Sequence, residues 1–428
     1  MSATFTSTST STSAPLPAPS ALRSPGFRRL IVALAASEAG DWLYNLALVV
    51  VVFERTRSTT WAAATVAARV LPMMLVGPLG GVIADRFDRR VAMVVSDAGR
   101  ALCMLALAAV TLTGLPVLLL PLLAALNTTA GVAYPPCVAA TVPRLVAPAS
   151  VSRAYAARST VSNVAIIAGP AFGALLVMLG SPSLAFVVNA VSFATAGLLV
   201  WSIPVAGGVF APSRSNLHVS LVADLRAGAD ALRQHPAALR LAGADVLSSF
   251  VYGALTVLLL LLSRQLGHGD HGYGWLLAGF GAGGVLGAVV AARAAASPRR
   301  RTASKAGVVA IGVSTALLAG APWFVAAIAA AVVIGVANIV VEVTADTALQ
   351  EMLPEEVFAR AYGFVIPACC AAIALGSLVA PLLERLLGLG GALVVLALVT
   401  VSYTWLLRRP TQAGAHAGHR VACADAAS

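Results

Sequence analysis

Residues 77–100 read GPLGGVIADRFDRRVAMVVSDAGR. The small-residue segment Gly77-Pro78-Leu79-Gly80-Gly81 closes one long apolar run, and Val91 opens the next. Between them stand Asp85, Arg86, Asp88, Arg89 and Arg90. Two membrane-length helices joined by so short a basic turn place that turn on the cytoplasmic side, where Lys and Arg are retained.

The bulk composition agrees with that reading. Of 428 residues, 59% are hydrophobic and 11% charged, with a mean hydropathy of +0.90. Soluble domains carry roughly 25% charged residues, so a water-soluble chain of this composition could not cover its surface. The composition implies an all-α polytopic membrane protein. The net charge of +11 does not point to nucleic acid, because the basic residues are scattered between apolar runs and lack interleaved aromatics. Inner-leaflet retention of Lys and Arg accounts for it. Five cysteines cannot all pair; four lie in apolar runs, Cys423 is in the tail, and none shows metal-ligand spacing, so they read as apolar fillers.

Residues 1–25 are rich in Ser, Thr, Ala and Pro and read as a disordered cytoplasmic tail with no cleavable signal. Twelve apolar runs follow, at about 30–53, 59–84, 91–113, 116–142, 155–180, 183–203, 237–263, 273–296, 306–320, 323–349, 361–383 and 388–407. Each is close to the roughly 20 residues that a membrane crossing needs. Of the 28 Lys and Arg, 22 fall in the two tails and in or beside the connections after even-numbered runs. Arg55, Arg57, Arg264 and Arg385 lie on the other side, and Arg69 and Arg100 lie inside runs. Both termini are therefore expected in the cytoplasm. The connection 204–236 separates an N-terminal half (26–203) from a C-terminal half (237–407), with a second tail at 408–428. Within the connection, residues 217–232 have the apolar spacing of an amphipathic surface helix. The halves echo one another: Leu34-Ala35, Glu38 and Ala47-Leu48 match Leu241-Ala242, Asp245 and Ala254-Leu255 at identical offsets. Duplicated six-helix halves place a substrate site near the bilayer midplane, at their interface.

Ionisable side chains inside the runs are the candidates for function, since each costs about 2.5–3.5 kcal/mol to insert and so faces a cavity or a partner. The first run carries Glu38 and Asp41, with Asn45 one turn on; the second carries Arg69 before Pro72. The third carries Asp97 and Arg100, the seventh Asp245, and the tenth Glu342 and Asp346. Asp41 and Glu38 read either as a proton-titrating site or as permanent partners of Arg69. Arg69 is that partner or an attractor for an anionic substrate. Asp97 and Arg100 are expected to join the Asp85 charge cluster, while Asp245 and Glu342 line the second half's cavity and Asp346 serves as a gate. Trp42 and Tyr44 could stack on a planar ligand. The histidines at 268 and 271, in an outer loop, read as a polar turn and not as a metal site. No phosphate-cradling GxxxxGK[ST] sequence and no nucleophile–base constellation is present, so neither ATP-driven transport nor enzymatic activity is expected.

The spacing Gly81, Asp85, Arg86, Arg89, Arg90 resembles the signature loop between helices 2 and 3 of the major facilitator superfamily, with Asp88 where that family usually has Gly. Ser37-Glu38-Ala39-Gly40-Asp41, Arg69 with Pro72, Gly169-Pro170 with Gly173, and Asn189-Ala190-Val191-Ser192-Phe193 resemble the drug:proton antiporter branch that contains macrolide-efflux and enterobactin-exporter-like proteins. That resemblance implies the major facilitator fold, with export of an amphiphilic small molecule by alternating access in a plasma-membrane monomer. The proton gradient is the energy source and no cofactor is needed; the partners are the substrate, protons and the lipid bilayer. It also implies that Asp85 contacts the start of helix 11, around Tyr362 to Phe364, and holds the outward-open state. An importer or facilitator on the same fold, or a non-transporting receptor or scaffold, are the competing readings.

Overall fold

The computed structural model describes residues 21–178, 182–204, 208–212, 221–295, 300–353 and 355–408, and the regular structure among them is helical throughout. In chain order the α-helices are α1 (Pro25–Thr56), α2 (Thr59–Arg86), α3 (Arg89–Thr113), α4 (Leu119–Gly131), α5 (Tyr134–Leu145), α6 (Val151–Met178) and α7 (Pro182–Trp201). Then come α8 (Leu221–Gln234), α9 (Pro236–Gln265), α10 (Gly269–Ala295), α11 (Arg300–Ala319), α12 (Phe324–Met352) and α13 (Glu355–Arg408). Nine helices among the described residues are long and apolar enough to cross a membrane. One of these, α13, is 54 residues long, about 80 Å if straight, over twice the hydrocarbon thickness. It reverses at Gly388 (φ 70°, ψ 172°) and so supplies two crossings. The fourth run forms two short helices, α4 and α5, because Pro135 and Pro136 cannot continue the hydrogen-bond ladder. With α6, these complete twelve crossings.

Local chemistry sets the helix ends. Ser24 caps α1 by accepting from the Phe27 amide, and Pro25 supplies the preset φ of a first helical residue. At the signature turn, the Asp88 carboxylate accepts from the amides of Arg90 and Val91 and caps α3. The acid that departs from the family pattern thus has a local role. Arg89 is buried beneath the turn, its side chain donating to the Ala84 carbonyl at 3.1 Å while its amide donates to the Phe210 carbonyl at 3.0 Å. The Arg90 guanidinium lies over the Trp201 ring, 4.3 Å from its centroid. The ninth crossing begins six residues earlier than its apolar run, at Arg300, because the helix continues past the membrane edge through Arg301 and Lys305. The amphipathic helix of the connection is observed as α8; residues 213–220 lie outside the described residues. Gly169, Pro170 and Gly173 sit within α6, and their side-chain surroundings also lie outside the described residues.

The two halves use the same pairings. In the first, α1 packs on α6 and α7, α3 on α4 and α7, and α2 on α4; in the second, α9 packs on α13, α11 on α12 and α13, and α10 on α12. The halves meet along α6–α10 and α2–α13. Glycines set the closest approaches. A Cβ on Gly335 would lie 2.0 Å from the Phe280 carbonyl oxygen, and one on Gly283 would lie 2.0 Å from that of Val332, so α10 and α12 touch backbone to backbone. Replacing Gly335 with Ala should destabilise the protein by about 1–3 kcal/mol through overpacking, more than the gain of about 1 kcal/mol in helix propensity. Thermal unfolding in detergent will show a lowered midpoint for Gly335→Ala and none for Gly320→Ala, whose added Cβ meets open space.

Candidate substrate cavity and charge sites

Asp41 on α1 and Arg100 on α3 form an ion pair, and the Arg100 guanidinium also donates to the Ser37 hydroxyl at 3.1 Å. The Phe193 ring of α7 lies under the same guanidinium, 4.0 Å from centroid to Cζ. The approach of α1 to α7 that makes this possible runs over Gly40: a Cβ there would sit 2.0 Å from Asn189 Oδ1 and 2.3 Å from Ser192 Oγ. Arg100 therefore belongs to the α1–α3–α7 junction rather than to the charge cluster of the signature turn, because its side chain points along the interior of the half. Asp97 is fully buried beside it, with neither carboxylate oxygen hydrogen-bonded among the described residues, and packs against Gly197 of α7. It too is separate from the loop.

The partner expected for the helix 1 acids is corrected by this geometry. Arg69, one wall away on α2, makes no ion pair and no side-chain hydrogen bond among the described residues; its backbone carbonyl accepts from Thr128 Oγ1 at 2.8 Å. Glu38 instead accepts from the Ser162 hydroxyl of α6 at 2.8 Å. Glu38, Asp41, Asn45, Arg69, Arg100 and Arg158 all line one cavity of about 340 Å³ in the first half. Asp245, Glu342 and Asp346 come together on a cavity of about 290 Å³ in the second half. Asp245 accepts from the Cys369 thiol at 3.4 Å, and Asp346 is hydrogen-bonded to Tyr362. Trp42 lines both cavities and also a smaller one between them, shared with Arg69, Tyr252 and Phe280. Tyr44 also lines the first-half cavity but is only 2% exposed, its hydroxyl accepting from Asn127 at 3.3 Å.

Side-chain hydrogen bonds fasten the two halves to each other at one end. At the end remote from the signature turn, the Ser377 hydroxyl donates to the Ala63 carbonyl at 3.3 Å and Arg385 donates to the Thr60 hydroxyl at 3.0 Å, both joining α2 to α13. At the turn's end, Gly77 and Gly81 of α2 and Gly363 of α13 have nothing within 4 Å of where a Cβ would lie. Tyr362 to Phe364, where Asp85 is expected to make contact, lie in α13; the side chains of residues 354–360 just before them lie outside the described residues. The aromatic lining by Tyr252 and Phe280 was not read from the sequence. The repeat that sets Glu38 against Asp245 also sets Asn45 against Tyr252, and that register could have found it.

Removing one partner of a largely buried ion pair costs about 3–5 kcal/mol, because the other charge is left uncompensated. Arg100→Gln should approach the lower end of that range, since Asp41 keeps 32% of its side-chain exposure through the cavity. Thermal unfolding of Arg100→Gln, Asp41→Asn and the double variant will show the double variant less destabilised than the sum of the single ones. Strict additivity would mean that the two residues do not interact.

Comparison with known proteins agrees with the architecture. The profile of the family described as "Transmembrane secretion effector" matches residues 14–414. The chain is 26% identical to the uncharacterized MFS-type transporter YfiS of Bacillus subtilis (strain 168), over 86% of this chain and 89% of that one. It is 27% identical to the multidrug efflux pump Tap of Mycobacterium tuberculosis (strain ATCC 25618 / H37Rv), over 89% and 91%. Among solved structures it shares its fold with the nucleoside transporter NupG, at a TM-score of 0.70 and 13% identity over 89% of this chain and 98% of that one. Twelve crossings in two like halves, a central cavity walled by both, and a match over nearly the whole length show that the chain belongs to the transmembrane secretion effector family of major facilitator superfamily transporters.

Proposed function

We propose that this transporter exports an amphiphilic small molecule from the cytoplasm in exchange for protons, with Asp41 as the coupling carboxylate. The observation that carries the proposal is the Asp41–Arg100 pair in the cavity wall. Its arginine is almost sealed, whereas its carboxylate keeps 32% exposure. A proton reaching Asp41 through the cavity would neutralise the acid and release the arginine. That change would act on the α1–α3–α7 junction and hence on the whole half. Glu38, held only by the Ser162 hydroxyl, is the second acid on the same path. The bias of Lys and Arg puts the signature turn in the cytoplasm. In that orientation the end of the cavity beside the signature turn faces the cytoplasm, the side from which an exporter takes its substrate. Competition between proton and substrate, direct or through conformation, would let the inward proton gradient drive export. Trp42, Tyr252 and Phe280 offer apolar and aromatic surface to the substrate's body. The naming of Tap as a multidrug efflux pump favours this direction of transport.

The test is accumulation of a panel of fluorescent dyes, macrolides and siderophores in efflux-deficient cells that express the wild type, Asp41→Asn or Asp85→Asn, with and without an uncoupler. The wild type should lower accumulation of at least one compound, and the uncoupler and Asp41→Asn should each return it to the level of cells without the transporter. Export by Asp41→Asn that remains sensitive to the uncoupler would move the coupling role to Glu38 or Asp245. Accumulation that rises with expression, whatever the gradient, would make the protein a facilitator.

A further inference from the structure

The charges of the cavity are divided by wall. Every basic side chain that lines it, Arg69, Arg100 and Arg158, belongs to the first half. Among the described residues the second half contributes Asp245, Glu342 and Asp346 and no cation. Arg100 is occupied by Asp41, whereas the Arg69 guanidinium has neither ion pair nor hydrogen bond among the described residues. Opposite it, Glu342 has no hydrogen bond among the described residues, and the other two acids are bonded only to a thiol and a phenol. Arg69 and Glu342 make no ion pair with each other among the described residues; Arg69 lines a cavity with Trp42, Tyr252 and Phe280, and those three aromatics also line the cavity of Glu342. A further buried group near Arg69 also lacks its partner: Asn127, 2% exposed, lines the first-half cavity with Oδ1 making no hydrogen bond.

Resting on the reading of this cavity as the substrate path, we propose that its ligand is a zwitterion. A protonated amine is held by Glu342 with Asp245 and Asp346, an aromatic or aliphatic body lies along Trp42, Tyr252 and Phe280, and a carboxylate or similar anion is held by Arg69. Such a ligand supplies each wall with the charge that it lacks. A simple cation would leave Arg69 unpaired, and a simple anion would leave the three acids uncompensated. The guanidinium's planar fork suits a carboxylate, which it can bind through two parallel hydrogen bonds.

The proposal is tested by binding to the purified full chain in detergent, with three xanthene dyes that share one skeleton. One is an amino-xanthylium dye with a free carboxylate, the second its cationic methyl ester, the third anionic fluorescein; binding is followed by fluorescence polarisation. The zwitterion should bind on the order of tenfold more tightly than either of the others. Arg69→Gln should abolish its advantage over the ester while leaving the ester's affinity unchanged. Glu342→Gln should weaken both the zwitterion and the ester while leaving the anion unchanged. The unchanged dye shows in each case that the variant is folded. Equal affinity for the acid and its ester, indifference of the zwitterion to either substitution, or no saturable binding of the zwitterion overturns the proposal. Binding in detergent needs no gradient. A charge preference as stated with no proton-driven export would therefore sink the export reading alone, and export without the preference would sink this one alone.

Discussion

A guanidinium inside a membrane helix has to be paid for by its surroundings, and much of the first half is arranged around that of Arg100. Three elements converge on it. Helix α1 gives the Ser37 hydroxyl and the Asp41 carboxylate, α7 gives the Phe193 face, and α4 ends at Gly131, where a Cβ would come within 3.3 Å of Arg100 Nε. The small residues nearby follow from the same need. Gly40 lets α1 close on Asn189 and Ser192, and Gly197 leaves room for the buried Asp97. Hydrophobic packing alone would not select glycine at these places; close helix approach around a polar centre does.

The second half is built by the same pairings but holds its charges differently. Its helices touch backbone to backbone at Gly253 and Gly376, between α9 and α13, and at Gly283 and Gly335, between α10 and α12. That gives a rigid body with little side-chain polarity at its seams. Its carboxylates stand at the cavity edge with neutral partners or none, whereas the first half neutralises Asp41 internally. Duplication has thus kept the scaffold and let the electrostatics diverge. The junction of the halves differs from their interiors. The side-chain hydrogen bonds between α2 and α13 cluster at one end, through Thr60 with Arg385 and Ala63 with Ser377. Two stiff bodies that meet along α6–α10 and α2–α13, with these hydrogen bonds at one end, suit the rocking of one half against the other that alternating access needs.

The scaffold was legible in the sequence because a bilayer imposes length and hydropathy on every crossing. The twelve runs, the break at Gly388 and the amphipathic helix before α9 all follow from that constraint. The breaks were less visible: Pro135 and Pro136 interrupt a run whose hydropathy is continuous, so α4 and α5 read as one helix. Charged positions were also legible, since an Asp or Arg in an apolar run stands out on composition. Their partners were not. Of the basic residues inside apolar runs, Arg69 is the nearest to Asp41 along the chain, yet Arg100 reaches it, because helix pairing inside a half is a tertiary matter that hydropathy does not encode. Asp88, read as a departure from a loop pattern, is an ordinary N-cap of α3 once the helix start is known.

The division of charge also bears on how binding and motion could be linked. Arg69 and Glu342 lie on different halves. A ligand held by one wall only would stabilise the open and closed arrangements equally and so shift neither. A ligand that bridges both walls gains its second contact only as the walls approach. Its binding energy then favours arrangements in which the two walls stand close. Protonation of Asp41 acts within a single half, on the junction around Arg100. The two events therefore bias different elements, one the spacing between halves and the other the packing within the first, and each can oppose the other without sharing a side chain.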